Sequence, residues 1–347
     1  MVATATAGAR PATARPSRLG TIKKGVIHEP YRFFLYGPEG VGKSSLANDA
    51  SAAIFLDTDR ASSRLHVARY PFRDGEDGYI ALTLAEIYAA IDDLLANPHS
   101  YRTLVIDTID RLEQLLWDHV CERQGPNRAG DRPRTIEEIP YGNGYKMAVD
   151  EWRVLCHRLD QLRLRRGMDI VLLGHSVVKK YANPLGEDFD RFRPRLDDRA
   201  LAFLKEWVDV VGFVAFEDAA SKLRPTDDRD RPRGIFTGRR LIHLEHSAAW
   251  DAKTRLPMPA EVELSLERPW SPFAAAVDAA RQLTPDNLRS LIEIQLAQLG
   301  DAFVKGTGEP ATADAVRGAT ERAGDDLASL GRIHNALKLA RRTEVSA

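Results

Sequence analysis

Short apolar runs alternate with longer amphipathic segments through the first two-thirds of the chain. Tyr31 to Tyr36 (YRFFLY) is short, apolar and aromatic, which predicts a buried strand. The glycine-broken segment GPEGVGKSSLANDA follows it, so the order there is strand, loop, helix. Ala53 to Asp57 (AIFLD) predicts a second strand ending in acid, and Leu82 to Ala96 has the spacing of an amphipathic helix stopped near Asn97-Pro98. Thr103 to Asp107 (TLVID) predicts a third strand. A helix over Arg111 to Arg123, a Gly/Pro/Arg-rich loop over Gly125 to Gly142 and a long helix from about Tyr145 to Arg166, closed by Gly167, come next. Asp169 to Gly174 (DIVLLG) predicts a fourth strand, and its unbroken apolar character is that of a parallel strand covered on both faces. Alternation of this kind predicts an α/β fold with a mostly parallel sheet covered by helices. Beyond it the pattern gives a polar, aromatic-dotted loop from Val178 to Asp197, a helix to Trp207, and Val208 to Phe216 with Ile235 to Glu245 as antiparallel closing strands. Pro257, Pro259, Pro269 and Pro272 mark a boundary, after which three or four helical segments make a small C-terminal appendage. The expected organisation is a tail over 1–25, a main domain over 26–270 and a helical region over 271–347.

Composition narrows the classes. The 347 residues are 44% hydrophobic and 29% charged, ordinary for a soluble globular protein. Lys+Arg 49 against Asp+Glu 50 leaves a formal charge of -1, so no global field draws the chain to nucleic acid or to an anionic membrane. Any polyanion site must be a local patch. Cys121 and Cys156 cannot build a disulfide framework or a CxxC zinc site, and a reducing, cytoplasmic compartment is the expectation. No apolar stretch reaches membrane-spanning length, so no membrane partner is expected. The first 25 residues carry no acid and read as a disordered tail, with an organellar transit peptide as the alternative. His243 and His246 point to opposite faces of a strand, and Cys156-His157 diverge on a helix, so neither pair makes a metal or nucleophile site.

The chemistry lies in the first loop. Gly37, Pro38, Glu39, Gly40, Val41, Gly42, Lys43, Ser44 match GxxxxGK[ST] between a strand and a helix, a phosphate-binding loop, with Ser45 next to it. Its glycines let backbone N–H groups converge on phosphate oxygens. Lys43 reaches the β/γ-phosphates, and the Ser44 hydroxyl is a Mg²⁺ ligand. Asp107, ending TLVID, is the candidate second Mg²⁺ anchor, the Walker-B acid; a helix N-cap is its alternative role. ATP and Mg²⁺ are the cofactors this pairing calls for. The strand AIFLD adds Asp59 at a third acidic position, able to orient the attacking water, or to form a turn with Asp57.

At this point the chain resembles the RecA superfamily. There the strand after the P-loop helix ends in Asp-x-Glu with the glutamate as catalytic base, and Asp59 stands at the matching position, one methylene shorter. The resemblance implies a γ-phosphate sensor at His175, in VLLGHS, and trans fingers at Lys253 and Arg255, in AKTRLP, that reach a neighbouring subunit's nucleotide. It implies a homo-oligomer, ring or filament. A hydrogen-bonded structural histidine and a solvated basic turn are the plainer readings of these two places. The overall pattern is similar to phage RecA-like ATPases of the Sak single-strand-annealing type, AAA-like ATP-binding proteins. It runs from Tyr31 to about Leu266 through the P-loop, FLDT, LVIDT, YGNGY, LLGHS, EWVDVV and AKTRLP.

In that family the loop after the sensor strand touches single-stranded DNA. Here it holds Lys179, Lys180, Tyr181, Phe189, Arg191, Phe192, Arg193 and Arg195, aromatics for stacking beside cations for phosphates. Lys222 to Arg240 is a second basic segment. The expected function is a Mg²⁺-dependent ATPase, slow and stimulated by DNA, that acts on single-stranded DNA in phage-type recombination or annealing. A recombination or replication partner would bind its C-terminal helices. One alternative is a P-loop small-molecule kinase with Arg123, Arg128, Arg132 and Arg134 as an arginine lid; another is an ATP-switched interaction protein that does not bind DNA.

Overall fold

The computed structural model describes residues 21–22, 27–126, 130–183, 186–221, 233–306, 309–338 and 340–342. The expected tail lies almost wholly outside the described residues, as do Arg128 and the 222–232 part of the second basic segment. The chain runs β1 (Arg32–Gly37), α1 (Lys43–Asn48), β2 (Ala53–Asp57), α2 (Leu84–Ala96), β3 (Thr103–Asp107), α3 (Ile109–Arg123) and α4 (Asn143–Arg166). It continues through β4 (Asp169–Tyr181), β5 (Phe189–Pro194), α5 (Asp198–Trp207), β6 (Val210–Ser221), β7 (Arg233–His243), β8 (Lys253–Thr254) and β9 (Glu261–Leu264). The C-terminal part adds α6 (Trp270–Gln282), α7 (Pro285–Leu299), β10 (Ala302–Val304), β11 (Pro310–Thr312), α8 (Ala313–Ala323), α9 (Leu327–Lys338) and β12 (Arg341–Arg342).

Among the described residues the main sheet has the order β2-β3-β4-β1-β6-β7-β9. β2, β3, β4, β1 and the start of β6 are parallel; β7 and β9 close the sheet antiparallel. The sheet is thus α/β and mostly parallel, with β4 inserted between the P-loop strand β1 and the acidic strand β3. Alternate residues of β1 point to opposite faces, as strand geometry requires. Phe34 and Tyr36 join the core made with α2, α3, α4 and α5, while Phe33 and Leu35 join the core on the α1 and α6 side. Thr83 and Glu86 form a capping box that starts α2, and Gly167 closes α4 at φ 69°.

Two hairpins leave the sheet at one edge. β4 was expected to stop at Gly174, but it runs on to Tyr181 and pairs antiparallel with β5, so the expected loop over Val178 to Asp197 is a ribbon. β6 and β7 likewise continue past the parallel sheet. Both project from the carboxyl ends of the parallel strands, where Gly37 begins the P-loop.

At the C-terminal end, Trp270, Phe273 and Val277 of α6 pack into the sheet core beside Phe33. α7, α8 and α9 enclose a separate core around Leu288, Ile292, Leu296, Phe303 and Leu330, with the small sheet β11-β10-β12 at its side. No described helix is long and apolar enough to cross a membrane.

Candidate active site

The P-loop is held open by its glycines and closed from within by its lysine. A Cβ on Gly37 would stand 2.0 Å from the carbonyl oxygen of Val214 on β6, so only glycine lets the two strands meet there. Gly40 and Gly42 have φ of 76° and 89°, which bends the loop around a hollow. Lys43 turns into it. Its buried ammonium donates to the carbonyls of Gly37 at 3.0 Å and Pro38 at 2.9 Å. Burial holds its pKa below the ordinary lysine value, against the pull of Asp107, Asp110 and Glu39. Val41 packs inward, while Glu39, Gly40 and Ser45 are exposed.

The Ser44 hydroxyl donates to Asp107 Oδ2 at 2.6 Å. This bond joins the start of α1 to the end of β3 across the intervening sheet. Asp107 is 1% exposed, and burial raises its pKa to about 7; the Ser44 bond lowers it, and the nearby Asp59 and Asp57 charges raise it further. The helix N-cap is Thr108, not Asp107, which leaves the aspartate free for the site. A buried carboxylate and a hydroxyl, both hard oxygen donors touching each other, suit Mg²⁺. No cluster of three or more His, Cys, Asp or Glu that could hold a metal occurs among the described residues.

Asp57 lies opposite Asp107 in the β2–β3 register. Its Oδ1 accepts from the N–H of Asp59 at 3.2 Å and Arg60 at 2.9 Å, and its Oδ2 from the Ser62 hydroxyl at 2.5 Å. Asp57 therefore builds the turn that presents Asp59. Asp59 Oδ1 accepts from the Ala61 N–H at 3.0 Å, and Oδ2 from the Thr108 hydroxyl at 2.9 Å. Thr58 ties the same corner to β3, its hydroxyl donating to the Thr108 carbonyl at 2.8 Å. The Asp107–Thr108 peptide bond is cis.

His175 sits level with Gly37 in the β1–β4 register. Its N–H donates to Asp110 Oδ1 at 3.0 Å, and its Nδ1 is 2.7 Å from Asp110 Oδ2. Burial works against the Asp110 anion, but hydrogen bonds from His175 and Arg195 outweigh it and take its pKa down to about 2. The sequence drew attention to Asp107 and His175 but read Asp110 only as a helix-start acid and Arg195 only as a cation of the DNA loop. Asp110 is the residue three past a strand-ending acid and first reads as a helix-start acid.

The remaining expectations fall elsewhere. Of the ribbon residues, Lys179, Lys180 and Tyr181 are exposed, whereas Arg191 is buried against Asp251, with its Nε donating to the Ala248 carbonyl at 3.0 Å. Phe192 stacks on Phe213 at 5.1 Å, and Arg193 pairs with Asp198 at 3.1 Å. Arg191 is thus spent on internal contacts, and the half-buried Phe192 is part of an aromatic stack. Lys253 and Arg255 lie at the opposite, amino end of β6, where Lys253 pairs with Val211. Lys253 donates to the carbonyls of Lys205 and Val208, and Arg255 to that of Glu206. Among the described residues, the arginines of the expected kinase lid lie away from the P-loop: Arg123 pairs with Glu151, while Arg132 and Arg134 line a cavity of about 640 Å³ beside the far half of α3. At 1.5 Å per residue, that half ends about 20 Å from the P-loop edge of the helix.

A strand-borne P-loop, a buried acid two strands away that meets its serine, and a further acidic strand beyond define a P-loop nucleoside-triphosphatase core. The chain belongs to a family of AAA domains, whose sequence model matches residues 29–256, about two-thirds of its length. It is a nucleotide-binding ATPase at the level that family defines. Among solved structures it is similar to the RadB recombinase, at 12% identity over 70% of this chain and 90% of that chain, with a TM-score of 0.34. No curated protein matches the sequence.

Proposed function

We propose that the protein is a Mg²⁺-dependent, RecA-like ATPase that uses its nucleotide state to control single-stranded DNA in phage-type recombination or annealing. The observation that carries the reading is the 2.6 Å bond between Ser44 and Asp107, two residues 63 apart in sequence that only this strand order brings together. Ser44 and Asp107 would hold Mg²⁺ through these two oxygens, and the ion would supply positive charge to the triphosphate. Lys43 would leave the Gly37 and Pro38 carbonyls for the phosphate chain. Water, oriented by Asp59, would bond through its oxygen to the γ-phosphorus while the β–γ bridging oxygen takes the electron pair and leaves as ADP; the water's proton passes to Asp59. His175, against the P-loop and anchored on Asp110, would sense the γ-phosphate.

DNA would lie along the β4–β5 ribbon, which begins at His175 and ends in exposed Lys179, Lys180 and Tyr181. Lys179 pairs with Asp198 at 3.5 Å and Lys180 with Asp188 at 3.1 Å, so binding there exchanges one set of partners for another and is weak without ATP. Lys253 and Arg255, at the amino ends of the parallel strands and away from their own P-loop, would serve a neighbouring subunit's nucleotide in a head-to-tail homo-oligomer. The test is phosphate release with and without single-stranded DNA, for wild type and Lys43→Ala. Release abolished by the substitution and raised by DNA is the expected result. Wild-type release that Lys43→Ala leaves unchanged refutes the ATPase site, and release unaffected by DNA at low salt refutes the DNA part.

A further inference from the structure

One cation at the mouth of the P-loop has no task in the scheme above. Arg195 follows β5 directly, and its N–H donates to the His175 carbonyl at 2.9 Å, which fixes it level with Gly37. From there its side chain turns back over the site. Nη2 donates to Asp110 Oδ2 at 2.8 Å and lies 3.1 Å from His175 Nδ1, while Nη1 stands 3.7 Å from the carboxylate of Glu39 in the P-loop itself. Its charge is felt by the Lys43 ammonium. The two ends of this bridge differ. Asp110 is 8% exposed and buried against the sheet, whereas Glu39 is 75% exposed. A contact between hydrated charges at that distance is worth only about 0–1 kcal/mol, so Glu39 holds its place weakly against a stronger anion. A guanidinium can keep one partner on one edge while its other N–H groups take a second.

We propose that Arg195 is a catalytic residue acting within its own subunit: its guanidinium takes the γ-phosphate of ATP in place of Glu39 while Asp110 keeps its other edge. The inference rests on the nucleotide site proposed above. In the hydrolytic step described there Arg195 neutralises charge on the γ-oxygens as the bond to the bridging oxygen breaks, and it forms no bond itself. ADP lacks the group that displaces Glu39. ATP and ADP therefore leave Arg195 differently placed, and because Arg195 is the residue after β5, the base of the ribbon follows the phosphate.

The experiment is calorimetric titration of Mg²⁺-ADP and of the Mg²⁺ complex of a non-hydrolysable ATP analogue into wild type, Arg195→Ala and Arg195→Lys, with phosphate release measured for each. ADP affinity is expected to hold in both variants, which also reports that they fold. Analogue affinity should fall about tenfold in Arg195→Ala, the worth of a charged hydrogen bond, and be partly recovered in Arg195→Lys. Turnover should fall on the order of 10³-fold, the low end for an arginine finger. Equal loss of ADP and analogue affinity would make Arg195 a structural support of Asp110 and overturn the proposal, as would no loss of either. Wild type that binds neither nucleotide would remove the parent reading and this one together, so the two failures are told apart by the wild-type titration.

Discussion

Asp107→Asn should make the nucleotide-free protein more stable while disabling it. In the folded chain Asp107 is 1% exposed and its pKa is raised to about 7 from 3.8. At about 1.4 kcal/mol for each pH unit between those values, the folded state pays up to about 4 kcal/mol to hold the anion at alkaline pH. The sign follows from proton binding. Between pH 3.8 and about 7 the folded chain keeps a proton that the unfolded chain has released, so this residue's contribution to stability falls as pH rises through that window and is fully lost above it. Asn is isosteric, carries no charge and can still meet the Ser44 hydroxyl. Urea unfolding at pH 8 should therefore give Asp107→Asn a higher midpoint than wild type, with the advantage shrinking toward zero near pH 4. Glu113 is also raised, to about 8, chiefly by burial, but it is present in both proteins and cancels from the difference. Mg²⁺ should raise the wild-type midpoint at pH 8 and leave the variant unmoved. A variant no more stable than wild type at pH 8, or one whose advantage is the same at pH 4 and pH 8, refutes the account of a charge stored for a cation.

Gly37→Ala should cost about 3 kcal/mol or more in the same unfolding assay, because its Cβ would meet the Val214 carbonyl at 2.0 Å and part β1 from β6; a loss below 1 kcal/mol would be too small for that clash. Lys253→Ala with Arg255→Ala should abolish phosphate release, and mixing that variant with Lys43→Ala should restore part of it, since each then supplies what the other lacks. The fingers also cap carbonyls of α5, so each substitution costs about 1 kcal/mol of stability, and recovery on mixing is what separates catalysis from folding. Gly331→Ala should loosen the C-terminal helices alone, because its Cβ would stand 2.4 Å from Pro257. Faster proteolytic release of the chain beyond α6 with ADP affinity retained is expected, and loss of ADP affinity would show the two parts to be one cooperative unit.

The sequence was most legible where burial is uniform. AIFLD, TLVID and DIVLLG are covered on both faces, so they read as plain apolar runs, and the P-loop reads from its string. The ribbon was not legible, because HSVVKKY and FDRFRP leave the helix-covered part of the sheet, and a two-stranded ribbon with charges on both faces shows no clean alternation. The partnership of Asp110 with Arg195 spans 85 positions and exists only because β4 lies beside both β3 and β5. β10, β11 and β12 are two or three residues long, too short for any period to register.

Strand order explains why one site holds so many acids. Placing β4 between β1 and β3 separates the P-loop from Asp107 by one strand, and the gap at the carboxyl edge is where the proposed nucleotide's phosphates would lie. Asp57, Asp59, Asp107 and Asp110 border that gap, yet each is treated differently. Asp57 is spent on backbone N–H groups, Asp59 is oriented by Thr108, and Asp110 is neutralised by His175 and Arg195. Asp107 faces a hydroxyl, the lysine's field and the neighbouring Asp59 and Asp57 charges, and its burial pushes it toward neutrality. An environment that leaves one carboxylate short of positive charge, beside a serine and beneath a phosphate cradle, is one that the proposed divalent cation would complete by supplying the missing charge.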